Sequence, residues 1–287
     1  VPNGSRACVV SASACIEEEL PEPHTRCTVA AIDTATNSVI AEILVGDEPF
    51  DIASSTSGGL VYVTNRADDT LSVINTTENL VVATVPAGPA PEGVAVGAGE
   101  IYVANGTANT VSVIRELDLQ IKATVPVGSA PFGVAVSPDA TTGIATNDLG
   151  SSVSIFATGT QTVLATVPVG MNPAGVTVLA DSSAAVVATG SGISIVNLST
   201  FAAQNVPLFG SFTDVAVTPA PDLTLAKFAS INPVGAGEIV TFGLTYGNVG
   251  TGLVTNGVIA DPVPENASFV SATAGGTLVD DPKTGPT

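Results

Sequence analysis

A pattern that recurs about every 40 residues constrains the fold of this chain more than any other feature of its sequence. Four segments align on a proline followed by a short β-branched run, and a fifth aligns without the proline: residues 49–54, 91–96, 131–136, 173–178 and 213–217. The steps between the four prolines are 42, 40 and 42 residues. Self-similarity at this period predicts a repeat architecture, in which each unit buries its apolar faces against its neighbours.

Three further short segments recur between these, in the same order in each unit. The second occupies residues 61–65, 101–105 and 143–147; the third occupies residues 71–74, 111–114, 153–156 and 193–196; the fourth ends at Pro86, Pro126, Pro168 and, more weakly, Pro207. Each is β-branched and bounded by Gly, Asn, Asp or Pro, which predicts four strands per unit. Because a proline has no N–H to donate, we expect the fourth strand at the outer edge of each sheet.

The residues 62–65, Tyr-Val-Thr-Asn, are the motif of the YVTN β-propeller repeat. The chain resembles that family over about residues 27–219, or from about residue 7 when the N-terminal strands are counted, and the last repeat is the most degraded. The resemblance implies a β-propeller, whose blades have four strands and a period of this size.

The number of strands predicts how the ring closes. Four complete sets of strands begin at Pro49, Pro91, Pro131 and Pro173, and a fifth inner strand, residues 214–218, has no followers. The N-terminal residues 8–10, 28–32 and 39–43 fit the missing second, third and fourth strands. We therefore expect an all-β fold in which residues 1–219 form a five-bladed β-propeller closed by N-terminal strands. An open solenoid of the same blades is the alternative.

All three cysteines, Cys8, Cys15 and Cys27, lie near the N-terminus. Residues 13–26 are expected to form an insertion between two strands of the closing blade. Cys15 and Cys27 lie at its two ends, so we predict a disulfide between them and an oxidising compartment. The alternative is three buried thiols, and the partner of Cys8 stays open. The insertion is acidic and is read as a solvated loop, with a cap on the pore mouth or a ligand site as alternatives.

A different pattern begins after residue 219. Residues 221–278 resemble the Ig-like repeat domains of unknown function found in large surface proteins. The likeness rests on the Gly237-Glu238 start of a long strand, an Asn248-Val249-Gly250 turn and an Asp261-x-x-Pro264 turn. Residues 220–287 are therefore expected to form an Ig-like β-sandwich. Its last strands are not in the sequence, so we expect a fragment of a longer protein, a fold completed by a neighbouring subunit, or a minimal sandwich.

Charge and motifs exclude several function classes. The chain has 26 acidic and 7 basic residues and a net charge of −19, so nucleic acid and anionic membranes are unsuitable partners, and no segment reads as a membrane-spanning helix. With one histidine and no phosphate-binding, zinc or nucleophile-elbow motif, we expect no catalytic, cofactor-binding or metal-ligating residue and no enzyme. Calcium at the acidic turns Asp47-Glu48 and Asp68-Asp69 is the weaker alternative to solvated carboxylates.

Five Asn-x-Ser/Thr sequons are candidates for N-glycosylation: Asn75, Asn197, Asn105, Asn266 and Asn3. Asn75 and Asn197 fall in the same turn of two different blades and are the best of these, with unmodified turn asparagines as the alternative. We expect an extracellular or cell-surface structural protein that self-assembles into a surface layer, filament or adhesive matrix. The alternative is a secreted module that binds a glycan, peptide or cation on the propeller face.

Overall fold

The computed structural model describes residues 6–18, 24–208, 210–217, 223–229 and 242–248. Of residues 6, 10–18, 24–26, 223–229 and 242–248 it describes the backbone alone. The chain divides into two compact units, Val1–Ala220 and Pro221–Thr287. All regular elements of the described residues are β-strands, and no helix among them has the length and apolarity needed to span a membrane.

The described part of the first unit forms five antiparallel sheets, numbered 1 to 5 along the chain. Sheet 1 holds β1 (Arg6–Glu18), β2 (His24–Asp33) and β3 (Ser38–Leu44). Sheet 2 holds β4 (Pro49–Ser54), β5 (Leu60–Asn65), β6 (Thr70–Asn75) and β7 (Leu80–Pro86). Sheet 3 holds β8 (Pro91–Gly97), β9 (Glu100–Asn105), β10 (Thr110–Arg115) and β11 (Ile121–Pro126).

Sheet 4 holds β12 (Pro131–Val136), β13 (Thr142–Asn147), β14 (Ser152–Ala157) and β15 (Thr162–Pro168). Sheet 5 holds β16 (Val176–Val178), β17 (Ala184–Thr189), β18 (Gly192–Asn197) and β19 (Ala203–Pro207). Each of sheets 2 to 5 pairs its strands in chain order. The four strands predicted for each repeat are thereby confirmed, and the fold is all-β and consistent with a β-propeller.

The middle strands of sheets 2 to 4 are almost wholly buried because they pack on a neighbouring sheet on both faces. Successive side chains of a strand point to opposite faces. In β5, Val61 and Val63 therefore pack against sheet 1, whereas Tyr62 packs against sheet 3. Equivalent clusters lie between sheets 3 and 4 and between sheets 4 and 5. This explains why these strands read as continuous apolar runs rather than as alternating ones.

The fourth strand of each of sheets 2 to 5 is the most exposed strand of its sheet. In β7, for example, exposed and half-buried residues alternate from Leu80 to Pro86. The prolines that end β7, β11, β15 and β19 are all exposed. The outer position predicted for this strand is confirmed.

The loop conformation predicted for the N-terminal insertion, residues 13–26, was wrong for its described residues, which form strand. β1 and β2 are long strands that continue pairing through this segment, with partners that run from Arg6 and Asp33 to Glu18 and His24. The ladder is interrupted once, between Ser11 and Ile16. A β-bulge absorbs extra residues on one strand without ending the hairpin, which is why added length here extends the strands instead of opening a loop.

The predicted fifth inner strand was also wrong as a regular element. Residues 210–217 are described and have no strand assigned, so sheet 1 has three strands in the described residues. The segment nonetheless lies against sheet 5, because the carbonyl of Thr213 accepts the N–H of Gly175 at 2.9 Å.

The second unit contributes one antiparallel hairpin to the described residues. β20 (Leu223–Ala229) pairs with β21 (Phe242–Asn248) in continuous register. Both strands fall in segments with strand-like patterns. The remaining strands predicted for an Ig-like sandwich lie outside the described residues.

Candidate functional site

The first strands of sheets 2 to 5 lie unusually close to one another. A Cβ on Gly93 would stand 2.5 Å from the carbonyl oxygen of Phe132, and one on Gly133 would stand 2.5 Å from that of Ala174. Real side chains do not approach so closely, so only glycine fits at these positions. The glycine of the Pro-x-Gly-Val-Ala-Val pattern is therefore required by contact between neighbouring inner strands.

Threonine hydroxyls form hydrogen bonds between the same strands. Thr64 accepts the N–H of Asp51 at 3.0 Å and donates to the carbonyl of Glu92 at 2.7 Å in the next sheet. Thr146 does the same between Gly133 and Ala174, at 2.8 and 2.7 Å. The threonine of the Tyr-Val-Thr-Asn motif thus joins adjacent sheets.

Asp51 occupies, in sheet 2, the position that glycine holds in sheets 3 to 5. Its carboxylate accepts the N–H of Ile52 at 2.7 Å and that of Val94 at 2.9 Å. Burial raises the pKa of Asp51, and the negative charge of Asp214 adds to the shift, so these two carboxylates are near each other. We call residues 51, 93, 133, 175 and 214 the inner ring, because they occupy the same position of the repeat. Sequence reasoning missed the two acids, although an acid among aligned glycines was visible.

The residues one position earlier place two aromatic rings together. Phe50 and Phe132 meet edge to face with their centroids 5.2 Å apart, although they belong to sheets 2 and 4. The guanidinium of Arg66 lies 5.7 Å above the Phe50 ring and pairs with Glu48 at 3.4 Å. Burial raises the pKa of Glu92. We call Phe50, Phe132, Arg66 and Glu48 the aromatic mouth; its two rings are apolar, and Arg66 and Glu48 are charged.

Several of the described carboxylates take part in backbone hydrogen bonds. Those of Asp51, Asp68 and Asp69 accept backbone N–H groups at 2.7 to 2.9 Å. Among the residues whose side chains the structure describes, no three His, Cys, Asp or Glu groups are placed to hold a metal ion.

The asparagine of the motif was not singled out from sequence, yet it makes two side-chain hydrogen bonds in each of sheets 2, 3 and 4. The amide nitrogen of Asn147 donates to Ser152 at 3.0 Å and Ser154 at 3.1 Å, and Asn65 and Asn105 make the equivalent pairs of bonds. Their recurrence at one place in each repeat was the available signal.

This geometry changes one sequon candidate. Asn105 is only 1% exposed and its amide nitrogen donates inside sheet 3, so the structure removes it from the accessible acceptors. Asn75 and Asn197 end β6 and β18, in the turn predicted for them, and are half-buried. Asn3 and Asn266 lie outside the described residues.

The hairpin of β1 and β2 extends beyond the level at which the other sheets turn. Cys27 accepts the N–H of Val45 through its carbonyl, as Asp69 accepts that of Ala87 one sheet later. In sheet 2 the chain turns just before the strand that follows Asp69. In sheet 1 the equivalent strand, β2, begins earlier, at His24. The four steps from Thr28 to His24 make the extension about 13 Å.

The register of this hairpin bears on the predicted disulfide. It passes from Ser11 paired with Thr28 to Ile16 paired with Arg26, so the bulge that contains Cys15 lies across from Cys27. Cys27 is buried. The side chain of Cys15, like those of Glu17, Glu18 and His24, lies outside the described residues, so the pairing stays a prediction.

A second surface lies on the last strands of sheets 1 to 4, where β3, β7, β11 and β15 each carry one extra residue relative to the strand with which they pair. These bulged residues are Ile40, Val82, Lys122 and Leu164, and we call them the outer rim. The three apolar ones are 44%, 51% and 51% exposed. Lys122 instead pairs with Glu100. The same exposed position of three sheets therefore carries a large apolar side chain.

No protein-family model matches the chain, and no curated protein is similar to it. Among solved structures, it is similar to hydrazine synthase of Kuenenia stuttgartiensis, with a TM-score of 0.60 and 20% identity over 68% of this chain and 70% of that one. It is also similar to a functionally unknown protein from Desulfotomaculum acetoxidans DSM 771, with a TM-score of 0.53 and 18% identity over 69% of this chain and 68% of that one.

At these identities the likeness shows the fold alone, a β-rich repeat fold. One of the two structures is an enzyme by name, which leans against a non-enzymatic chain. A fold carries no activity by itself, however, because function depends on the residues of a site. The choice between structural, binding and catalytic roles therefore rests on the residues described above.

Proposed function

We propose that the first unit is a closed five-bladed propeller of the YVTN type and that the second is an Ig-like sandwich. The inner ring supports closure, because Thr213 bonds Gly175 of sheet 5 while the charge of Asp214 acts on Asp51 of sheet 2. Residues 213–214 therefore reach from the last sheet to the second, where a fifth inner strand belongs. The first strand of sheet 1 also packs beside β4. A disulfide between Cys15 and Cys27 locks the N-terminal hairpin.

The protein acts as an extracellular structural subunit, and its copies meet through the outer rim. The observation that carries this proposal is the repeated exposure of Ile40, Val82 and Leu164. Neighbouring residues of the same strands enlarge two of the patches, since Leu80 is 59% and Val163 is 38% exposed. In this role the chain needs no catalytic residue.

Charge favours a second copy as the occupant of the rim. Two molecules with a net charge of −19 each repel one another wherever acidic surfaces approach. β7 and β15 contain no charged residue, so copies can approach there without that cost. A basic partner would instead be drawn to the acidic surface. Each apolar patch of the outer rim is small, so a stable assembly needs more than one such contact per molecule.

The experiment uses a substitution that the repeat itself provides. Lys122 stands at the bulge of sheet 3, so a lysine fits this site, and Val82→Lys and Leu164→Lys place one in sheets 2 and 4. We expect the wild-type protein to form higher-mass species in analytical ultracentrifugation as its concentration rises, and the double variant to sediment as a monomer. Leu149→Lys is the matched control, because Leu149 is 74% exposed in a turn away from the fourth strands.

Two outcomes overturn different parts of the proposal. A wild-type chain that stays monomeric at all concentrations, and shows only dispersed particles by electron microscopy of native material, excludes the structural role. A double variant that assembles as the wild type does excludes the outer rim while leaving assembly intact.

A second function, a secreted binding module, has one observation in its favour. The Phe50 and Phe132 rings and the Arg66 guanidinium form a surface on which a sugar or peptide can stack. This role predicts that a glycan or peptide ligand raises the melting temperature, and that Phe132→Ala abolishes the increase. No shift with a broad glycan and peptide panel excludes it.

A further inference from the structure

We infer that Asn75 and Asn197 carry N-linked glycans. Both begin a sequon, Asn75-Thr76-Thr77 and Asn197-Leu198-Ser199, and both end the third strand of their sheet. The residues that follow are on the surface, since Thr77 and Ser199 are exposed. A glycan needs an asparagine in an accessible turn of this kind.

The turns hold each asparagine by its oxygen. Oδ1 of Asn75 accepts the N–H groups of Thr77 and Glu78 at 2.8 and 3.1 Å. Oδ1 of Asn197 accepts those of Ser199 and Thr200 at 3.0 and 2.8 Å. No hydrogen bond within the described residues uses Nδ2 of either side chain. The amide is planar, so the atom that would bear the sugar is on the side away from these bonds.

The sequon hydroxyl is already in contact with the amide in sheet 5. Ser199 Oγ donates to Asn197 Oδ1 at 2.8 Å. In the folded chain the tripeptide is therefore held in one compact arrangement. Glycosylation joins Nδ2 to the anomeric carbon of a sugar that a host transferase takes from an activated glycosyl phosphate donor, such as a lipid-linked sugar diphosphate. The donor's phosphate leaves and Nδ2 loses one proton, so the amide nitrogen must be the accessible atom of the side chain.

Two internal comparisons separate this reading from that of ordinary turn asparagines. Asp33 makes the same turn in sheet 1, where its Oδ1 accepts the N–H groups of Ala35 and Thr36 at 2.8 and 2.9 Å. The turn thus depends on a side-chain oxygen at this position and does not depend on a side-chain nitrogen. In contrast, the amide nitrogen of Asn105 donates hydrogen bonds to Thr110 and Ser112 inside a sheet, although Asn105 also begins a sequon.

Both sites lie at one end of the strands. The Thr76 hydroxyl, next to Asn75, donates to the carbonyl of Gly58 in the turn between β4 and β5. Arg66 and the aromatic mouth lie at the other end of the same strands. Glycans at residues 75 and 197 therefore cover the end opposite the aromatic mouth and leave the mouth free.

The test is tandem mass spectrometry of proteolytic peptides from the protein purified from its native source. We expect a hexose-containing mass addition on the peptides of Asn75 and Asn197 and an unmodified peptide for Asn105. In the native host, Asn75→Asp and Asn197→Asp should each remove one addition and leave the melting temperature within a few degrees, because Asp33 shows that aspartate keeps the turn. Thr77→Ala and Ser199→Ala should remove the same additions while keeping the asparagine.

Unmodified peptides at both sites overturn the inference, and modification at only one overturns it for the other. A sugar on Asn105 would show that burial in the folded chain does not decide the site. Mass additions that persist in the aspartate variants would show another linkage.

Discussion

The pair formed by Gly143 and Phe156 is where sheet 4 departs from the other sheets. The two residues are cross-strand partners in β13 and β14, and a Cβ on Gly143 would stand 2.2 Å from the Phe156 ring. In sheets 2, 3 and 5 the same positions hold two aliphatic side chains: Val61 and Ile74, Ile101 and Ile114, and Ala185 and Val196. Sheet 4 fills the same space with one large residue and one that has no side chain.

Each exchange alone should destabilise the protein. Gly143→Val forces a buried ring to move, and overpacking of this kind costs about 2–3 kcal/mol. Phe156→Ile empties part of a fully buried site and loses the ring contact with Tyr102, 5.8 Å away, for about 2 kcal/mol. The double variant recreates the Val61–Ile74 pair of sheet 2, so it should lose only about 1 kcal/mol, mainly the Tyr102 contact.

The assay is urea unfolding of the wild type, both single variants and the double variant, with the slopes compared to confirm that the same transition is measured. We expect the double variant to be about 3 kcal/mol more stable than additivity predicts. Effects that add to within about 0.5 kcal/mol would mean that the two side chains do not share one space. The packing assigned to sheet 4, and with it the equivalence of the sheets, would then be refuted.

Three further predictions concern polar groups. Asn147→Ala leaves two buried serine hydroxyls without their donor and should lower the free energy of unfolding by about 2–3 kcal/mol in urea; no change would refute the network. Burial raises the pKa of Tyr62 and Tyr102, so the pKa of each phenol is higher in the folded chain than in the unfolded one. The stabilisation from keeping these phenols neutral is therefore complete below about pH 10 and is lost as the pH rises above it. Absorbance at 295 nm should show phenolate appearing together with unfolding rather than before it. Peptide mapping without reductant should find Cys15 linked to Cys27; alkylation of both would exclude the bond.

The sequence was sufficient for the strands because burial on both faces leaves a strong local pattern. Every strand of sheets 2 to 4 sits where the repeat placed it, with β-branched runs that end at Asn, Gly or Pro. The glycines of the inner ring were visible in the pattern, but their reason was not. That reason is the carbonyl of the next sheet, which lies about 40 residues further along the chain.

What escaped prediction depends on partners far apart in sequence. Asp51 and Asp214 are separated by most of the first unit in sequence, yet the negative charge of Asp214 adds to the burial that raises the pKa of Asp51. The edge contact between Phe50 and Phe132 likewise joins sheets that are not adjacent in the chain. The hairpin of β1 and β2 was misread because an acidic, low-hydrophobicity segment resembles a loop, although pairing with its other strand satisfies its backbone.

The alternation of each strand between two neighbours also bears on how such a chain can grow. Tyr62 faces forward and Val61 faces backward, and the equivalent residues of the next sheet do the same, with Tyr102 forward and Ile101 backward. Because every sheet presents the same two kinds of face, a duplicated sheet already fits both of its new neighbours. A whole unit can therefore be added between two existing units without creating a mismatched contact face.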